Sequence, residues 1–214
     1  MPSDALALFE ASLSKTERKI VSSLKSPAKI QAYLDALAYR TEDCYCCPLR
    51  VLREQRAHCF DGALFAAAML RRIGYPPLIV DLSAYRDDGH ILAIYKRDGH
   101  FGALAKSNFV GLRYREPVYR SLRELVMSYF EDYYNVEGIK SLRSYTLPLN
   151  LKRFDRFQWM TRDEHLDKIA DRLDAVRRVP LLTPQMIAKL SPLDQRSYKA
   201  GMVGTDLAGV YQPR

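Results

Sequence analysis

The chain has 214 residues, 48% of them hydrophobic and 27% charged, with a formal net charge of +8. That length can bury a real core, ten Gly and eleven Pro exclude collagen-like and low-complexity classes, and no apolar run approaches the roughly 20 residues of a membrane-spanning helix. Met1-Pro2-Ser3-Asp4 lacks the basic and apolar regions of a secretory leader, so the expectation is a cytoplasmic protein with no membrane association.

The first forty residues read as helices. Ser14-Lys-Thr-Glu17 has capping-box spacing, and Ser26-Pro27 sets an N-cap before a proline at the first helical position. Ile30, Leu34, Leu37 and Ala38 then recur at helical intervals, and Cys44–Pro48 breaks the pattern. Phe60–Ile73 is an alanine-rich helix stopped by Gly74 and Pro76-Pro77. Leu78–Leu82 follows as a strand. His90–Tyr95 and Phe101–Ala105 flank Asp98-Gly99, a two-residue hairpin signal. A helix followed by a hairpin indicates an α+β fold rather than a parallel βαβ sheet.

Leu122–Tyr134 returns to helical spacing, where its four aromatics read as core. Residues 136–160 are irregular, with short strands around Tyr145 and Leu149. Thr161-Arg-Asp-Glu164 is a second capping box, opening a helix through Val176. Thr183-Pro184 starts a short helix, and Gly201–Arg214 is a loop or packed arm. The expected organisation is one compact domain: a helical segment 1–48, a core 49–135 and a mainly helical segment 136–214.

The basic residues alternate with acidic ones and carry no recognition motif, which argues against nucleic acid. Four cysteines, at 44, 46, 47 and 59, are too clustered for a disulfide framework. A zinc site built from Cys44, Cys46, Cys47 and either His58 or Cys59 lacks a second CxxC or an HxxxH, so no metal is expected.

Cys59 falls at the start of the alanine-rich helix, where unpaired N–H groups and the helix dipole favour a thiolate. Four, seven, eight and eleven residues on lie Ala63, Ala66, Ala67 and Leu70, a face able to approach a sheet closely. His90 opens the hairpin and shares the alternation of Leu92 and Ile94, which makes it the general base. With Arg97 paired to His100, His90 lies opposite Ser107, while a one-residue bulge sets Asn108 there instead. Either completes a Cys–His–Asn/Ser triad, Asn108 being the better partner for an imidazole. Gln55, four residues before Cys59, is a candidate side-chain donor to the oxyanion. Asp87 and Asp88, ahead of His90, read as loop residues.

These residues resemble a family. Ala57-His-Cys-Phe-Asp-Gly-Ala-Leu-Phe-Ala-Ala-Ala-Met-Leu-Arg-Arg-Ile-Gly-Tyr-Pro-Pro is similar to the nucleophile helix of the transglutaminase-like superfamily, and Asp88-Gly-His90-Ile-Leu-Ala-Ile-Tyr to its histidine strand. Lys106–Phe109 and Ser128–Asn135 resemble stretches of a bacterial subgroup. The resemblance covers residues 50–135 and implies a papain-like α+β core with a Cys–His–Asp or Cys–His–Asn triad. The third member departs from the common Asp, since this chain offers Lys106, Ser107 and Asn108. The implied function is cysteine-dependent acyl transfer on an amide of a peptide or protein, as peptidase, amidase or transglutaminase, without a cofactor. The alternatives are a non-catalytic peptide- or protein-binding member of the same fold and a basic nucleic-acid-binding protein.

Overall fold

The computed structural model describes residues 5–42 and 44–212. Three helices lead: α1 (Ala5–Ser12), α2 (Lys15–Ser23) and α3 (Pro27–Ala36). The Ser14–Glu17 capping box is formed in both directions, and the Ser26 hydroxyl caps α3. A two-residue strand β1 (Ala38–Tyr39), helix α4 (Pro48–Glu54) and strand β2 (Arg56–Ala57) follow, with β1 and β2 paired in parallel. Helix α5 (Cys59–Arg72) is buried from Phe60 through Leu70. Each of its large side chains, such as Leu64, Phe65 and Met69, contributes about 1.5–3 kcal/mol of apolar burial.

Behind α5 stands an antiparallel sheet. Strands β3 (Leu78–Ala84), β4 (His90–Arg97) and β5 (His100–Leu104) are joined by β6 (Arg115–Tyr119) on one side. After helix α6 (Leu122–Met127), strands β7 (Leu142–Thr146) and β8 (Leu149–Asn150) both pair with β3. Helix α7 (Asp167–Asp174) and the edge strand β9 (Arg178–Pro180) come next, then α8 (Pro184–Ile187) and α9 (Gln195–Gly201). The strand order is β6-β5-β4-β3-β7-β9. The expected hairpin forms with Arg97 opposite His100, and Asp98 and Gly99 take φ of 51° and 80°, the left-handed pair of a type I′ turn.

Strand alternation gives the sheet two covered faces. Ile79, Ala93, Tyr95 and Leu104 pack with α5 and the N-terminal helices. Val80, Leu82, Leu92 and Ile94 pack with Leu125, Tyr129 and Tyr133 on the other side. Among the described residues no helix is long and apolar enough to cross a membrane.

Two helical expectations are corrected. The helix at 122 stops at Met127 because Arg115 engages Ser128 through both its carbonyl and its hydroxyl and stacks over Tyr129. Phe130–Asp132 is a 3₁₀ turn instead, though Tyr129 and Tyr133 are buried as core. The helix at 161 begins only at Asp167. Asp163 is drawn away to the Cys47 N–H and Arg50, and His165 turns left-handed at φ 73°. The segment beyond 135, expected to be mainly helical, also supplies three of the sheet's strands.

Candidate active site

Cys59 is the first residue of α5, and the residue before it caps the helix. His58 is extended, and its Nδ1 accepts from the N–H groups of Phe60 at 3.1 Å and Asp61 at 3.4 Å. Its other ring nitrogen, Nε2, donates to the Cys44 carbonyl at 2.9 Å. A carbonyl only accepts, so Nε2 carries the proton and Nδ1 is free to cap. The N–H donors expected to favour a Cys59 thiolate are therefore taken by His58. The Cys59 sulfur instead receives the Ile91 N–H and lies 4.0 Å from the Gly89 carbonyl oxygen. Burial pushes the thiol up to about 12, and the nearby carboxyls Asp81, Asp88 and Asp61 push the same way. The expected thiolate is thus replaced by a neutral thiol at rest.

His90 is the first residue of β4, opposite Leu82, and is buried. Its Nε2 donates to the Leu112 carbonyl at 2.7 Å, and its ring meets the edge of Tyr133. That bond fixes the tautomer, leaving Nδ1 as the basic nitrogen. Burial lowers the imidazole to about 4. As its alternation with Leu92 and Ile94 implies, His90 lies on the sheet face away from α5. Cys59 contacts the residues on either side of it, Gly89 and Ile91. The two side chains thus reach a common cavity around the end of β4, with no hydrogen bond joining Sγ to the ring.

The third-member candidates are engaged elsewhere. The β4–β5 ladder ends at Ala93 opposite Leu104, before it would reach His90. The chain then turns inward, where Lys106 donates to the Leu34 and Leu37 carbonyls at the end of α3. Ser107 Oγ accepts the Phe109 N–H. The Asn108 amide spans the backbone of Asp206, donating from Nδ2 to its carbonyl at 2.8 Å and accepting its N–H at Oδ1 at 2.9 Å. The backbone carbonyl of Leu112, which sequence patterning does not mark, holds the His90 ring instead.

Gln55 also departs from its expected role. It is the left-handed C-cap of α4, and its amide donates to Tyr33 and to the Leu52 carbonyl. It is not among the residues lining the cavity.

Cys59 and His90 open onto a cavity of about 670 Å³. Among the described residues its walls carry Glu42, Asp81, Asp87, Asp88, Asp132 and Asp174 against two arginines, Arg40 and Arg178. Both arginines are occupied, Arg178 by Asp81 at 2.6 Å and Arg40 by Glu54 at 2.6 Å. Carboxyls thus outnumber cations in the lining, although Glu42 and Asp132 pair with Arg56 and Arg115. Asp87 and Asp88, read as ordinary loop residues, belong to this lining, and burial lifts Asp87 to about 6 although Ser141 donates to it. Tyr39, set beside Ala57 by the β1–β2 pairing, forms another wall. Ala208–Tyr211 of the C-terminal arm also line it.

Below the helix start, Asp61 is fully buried and accepts the Cys46 N–H at 2.7 Å, with Arg40 Nε 3.4 Å away. Cys46 and Cys47 are buried, and burial raises both thiols to about 12. The Cys44 and Cys46 sulfurs lie 3.9 Å apart. Among the described residues no group of three His, Cys, Asp or Glu side chains is arranged to hold a metal ion.

No family model matches the chain, and no curated protein matches it. Among solved structures it is similar to Legionella pneumophila LapG, at 15% identity and a TM-score of 0.36, covering 49% of this chain and 72% of that one. The EGTA-treated form gives 15% and 0.36 over 50% and 69% of the two chains, and the calcium-bound form 14% and 0.35 over 50% and 71%.

Proposed function

We propose that the Cys59–His90 cavity carries out cysteine-dependent acyl transfer on an amide bond, the chemistry expected of a transglutaminase-like, papain-type α+β chain. The observation that carries this reading is the meeting of two groups in one cavity. A thiol heads a buried helix, and an imidazole with a fixed tautomer opens on the same space.

Because both groups are neutral at rest, the thiol proton leaves during attack rather than before it. Sγ bonds to the carbonyl carbon while the proton passes to His90 Nδ1, directly or through one water. The carbonyl electron pair moves onto oxygen. The Cys59 N–H, at a helix position with no intrahelical acceptor, donates to that oxyanion. Collapse breaks the C–N bond, and His90 returns the proton to the leaving amine. Water or a second amine then resolves the thioester. The Leu112 carbonyl takes the part of the asparagine, orienting the ring and stabilising its protonated form.

A second reading, peptide or protein binding without catalysis, draws on the commitment of the Asn108 amide to Asp206. Acylation by p-nitrophenyl acetate, followed by intact-mass and peptide-mapping mass spectrometry, separates the two. Catalysis requires an acetyl group on Cys59 that forms about 100-fold more slowly in His90→Ala. No adduct, or an equal rate in the variant, assigns the cavity to binding alone.

A further inference from the structure

The C-terminal arm does not merely pass the cavity. The Asn108 amide pairs with the N–H and the C=O of one residue, Asp206, at 2.9 and 2.8 Å. That donor–acceptor pair is presented by the backbone of any residue except proline, so the contact reads main chain and not side chain. Thr205 Oγ1 adds a bond to the Asn108 carbonyl at 3.3 Å. Three residues on, Gly209 lies so close that a Cβ would stand 2.9 Å from Tyr39 Cε1 and 3.1 Å from Asn108 Nδ2. The seat therefore accepts a glycine and resists anything larger. The side chains on either side of this seat are outward, Leu207 being 74% exposed and Tyr211 exposed as well, while Gly209 and Val210 are half-buried. Yet Ala208, Gly209, Val210 and Tyr211 share the cavity with Cys59 and His90.

We propose that the Tyr39–Asn108 edge of the cavity is a subsite for the main chain of a polypeptide with a small residue at the Gly209 position, held in cis by the chain's own residues 204–212, in which Asp206 is extended and Leu207–Gly209 form a 3₁₀ turn. This rests on the reading of the cavity as an acyl-transfer site and names its substrate class, a polypeptide held by its main chain just ahead of a turn with a glycine. The acyl donor then enters beside the nucleophile by displacing the arm. A tethered segment competes at an effective concentration on the order of millimolar, so a free peptide binds the intact chain weakly and binds it well once the arm is released.

The test uses the full-length chain and its Asp206→Pro variant. Proline removes the N–H that Asn108 accepts, and the φ of −76° at Asp206 suits it. The probe is a fluorescein-labelled synthetic peptide of residues 204–212, followed by anisotropy. Saturable binding to Asp206→Pro, about tenfold tighter than to the unaltered chain, is expected from competition with the tether. The same peptide with tryptophan at the glycine position is expected not to bind. A second variant, Gly209→Trp in the full chain, releases the arm by crowding and is expected to bind the glycine peptide as Asp206→Pro does. No binding to either variant, or equal binding of the tryptophan peptide, overturns the subsite. Because binding is read without turnover, a failure here leaves Cys59 acylation intact, and failed acylation leaves peptide binding intact.

Discussion

His58 Nδ1 accepts the Phe60 N–H at 3.1 Å, immediately beside Cys59. Burial is the main cause of the neutral thiol, and this bond acts with it, because two of the donors that would hold a thiolate are satisfied by an imidazole. Replacing His58 by alanine exposes them. The expected outcome has two parts: loss of about 1 kcal/mol of stability with the cap, and faster alkylation of Cys59 by iodoacetamide at pH 8, measured against Cys44 in the same sample. An unchanged Cys59 rate would show that burial, with the surrounding carboxyls, and not the cap, governs the thiol.

His90 predicts a pH dependence. Its imidazole titrates near 4 in the folded chain against an ordinary 6.5. Below 6.5 the unfolded chain binds the extra proton, so the neutral buried ring contributes stability above that pH and loses it as pH falls towards 4. The shift corresponds to about 3 kcal/mol in all. Asp87 works the other way: lifted to about 6, its buried carboxyl loses stability as pH rises from 3.8. Wild-type stability alone therefore mixes opposite slopes. The difference between wild type and His90→Gln, from urea unfolding across pH 4 to 7, isolates the histidine. It is expected to grow with pH to about 6.5 and then level off; a flat difference means the ring titrates normally.

Gly62 tests how closely α5 meets the segment after β5. A methyl group there would overlap Lys106 Cβ, and the Lys106 backbone lies just beyond. Lys106 cannot yield easily, because its ammonium is tied to the carbonyls ending α3 and the preceding residue is bonded on both sides by Gln31. Gly62→Ala, ordinarily favourable within a helix, is expected to cost about 1–3 kcal/mol here, read as a lower urea midpoint. A neutral or stabilising result would mean the junction has slack.

What the sequence displays well is local. Asp98-Gly99 sets the hairpin register, and the alanines with Gly74 and the paired prolines bound α5 within a residue or two. These signals lie within one element, where backbone sterics and periodicity decide. The errors arise where a distant partner wins. Thr161 spends its hydroxyl on the Gln158 carbonyl instead of a cap, and Asp163 beside it is held by Cys47 and Arg50, over a hundred positions earlier. Asn108 turns from His90 to Asp206 nearly as far along the chain. Gln55 takes a left-handed C-cap that no side-chain pattern announces. The Leu112 carbonyl has no side-chain identity to read, and β9, unlike the expected strands around Tyr145 and Leu149, owes its position to pairing across the sheet rather than to its own composition.

Strand β3 has one edge filled by its neighbour β4 and the other by β7, which begins only at Leu142. A ribosome extending this chain therefore releases α5 and the hairpin while one side of β3 still lacks its ladder partners. Such an open edge is a template on which neighbouring nascent chains can pair. The interval closes when β7 docks, and Arg178 then locks onto Asp81 from the last strand to arrive. The Asp81–Arg178 wall of the Cys59 cavity is thus made well after the hairpin, so the thiol is enclosed late in synthesis.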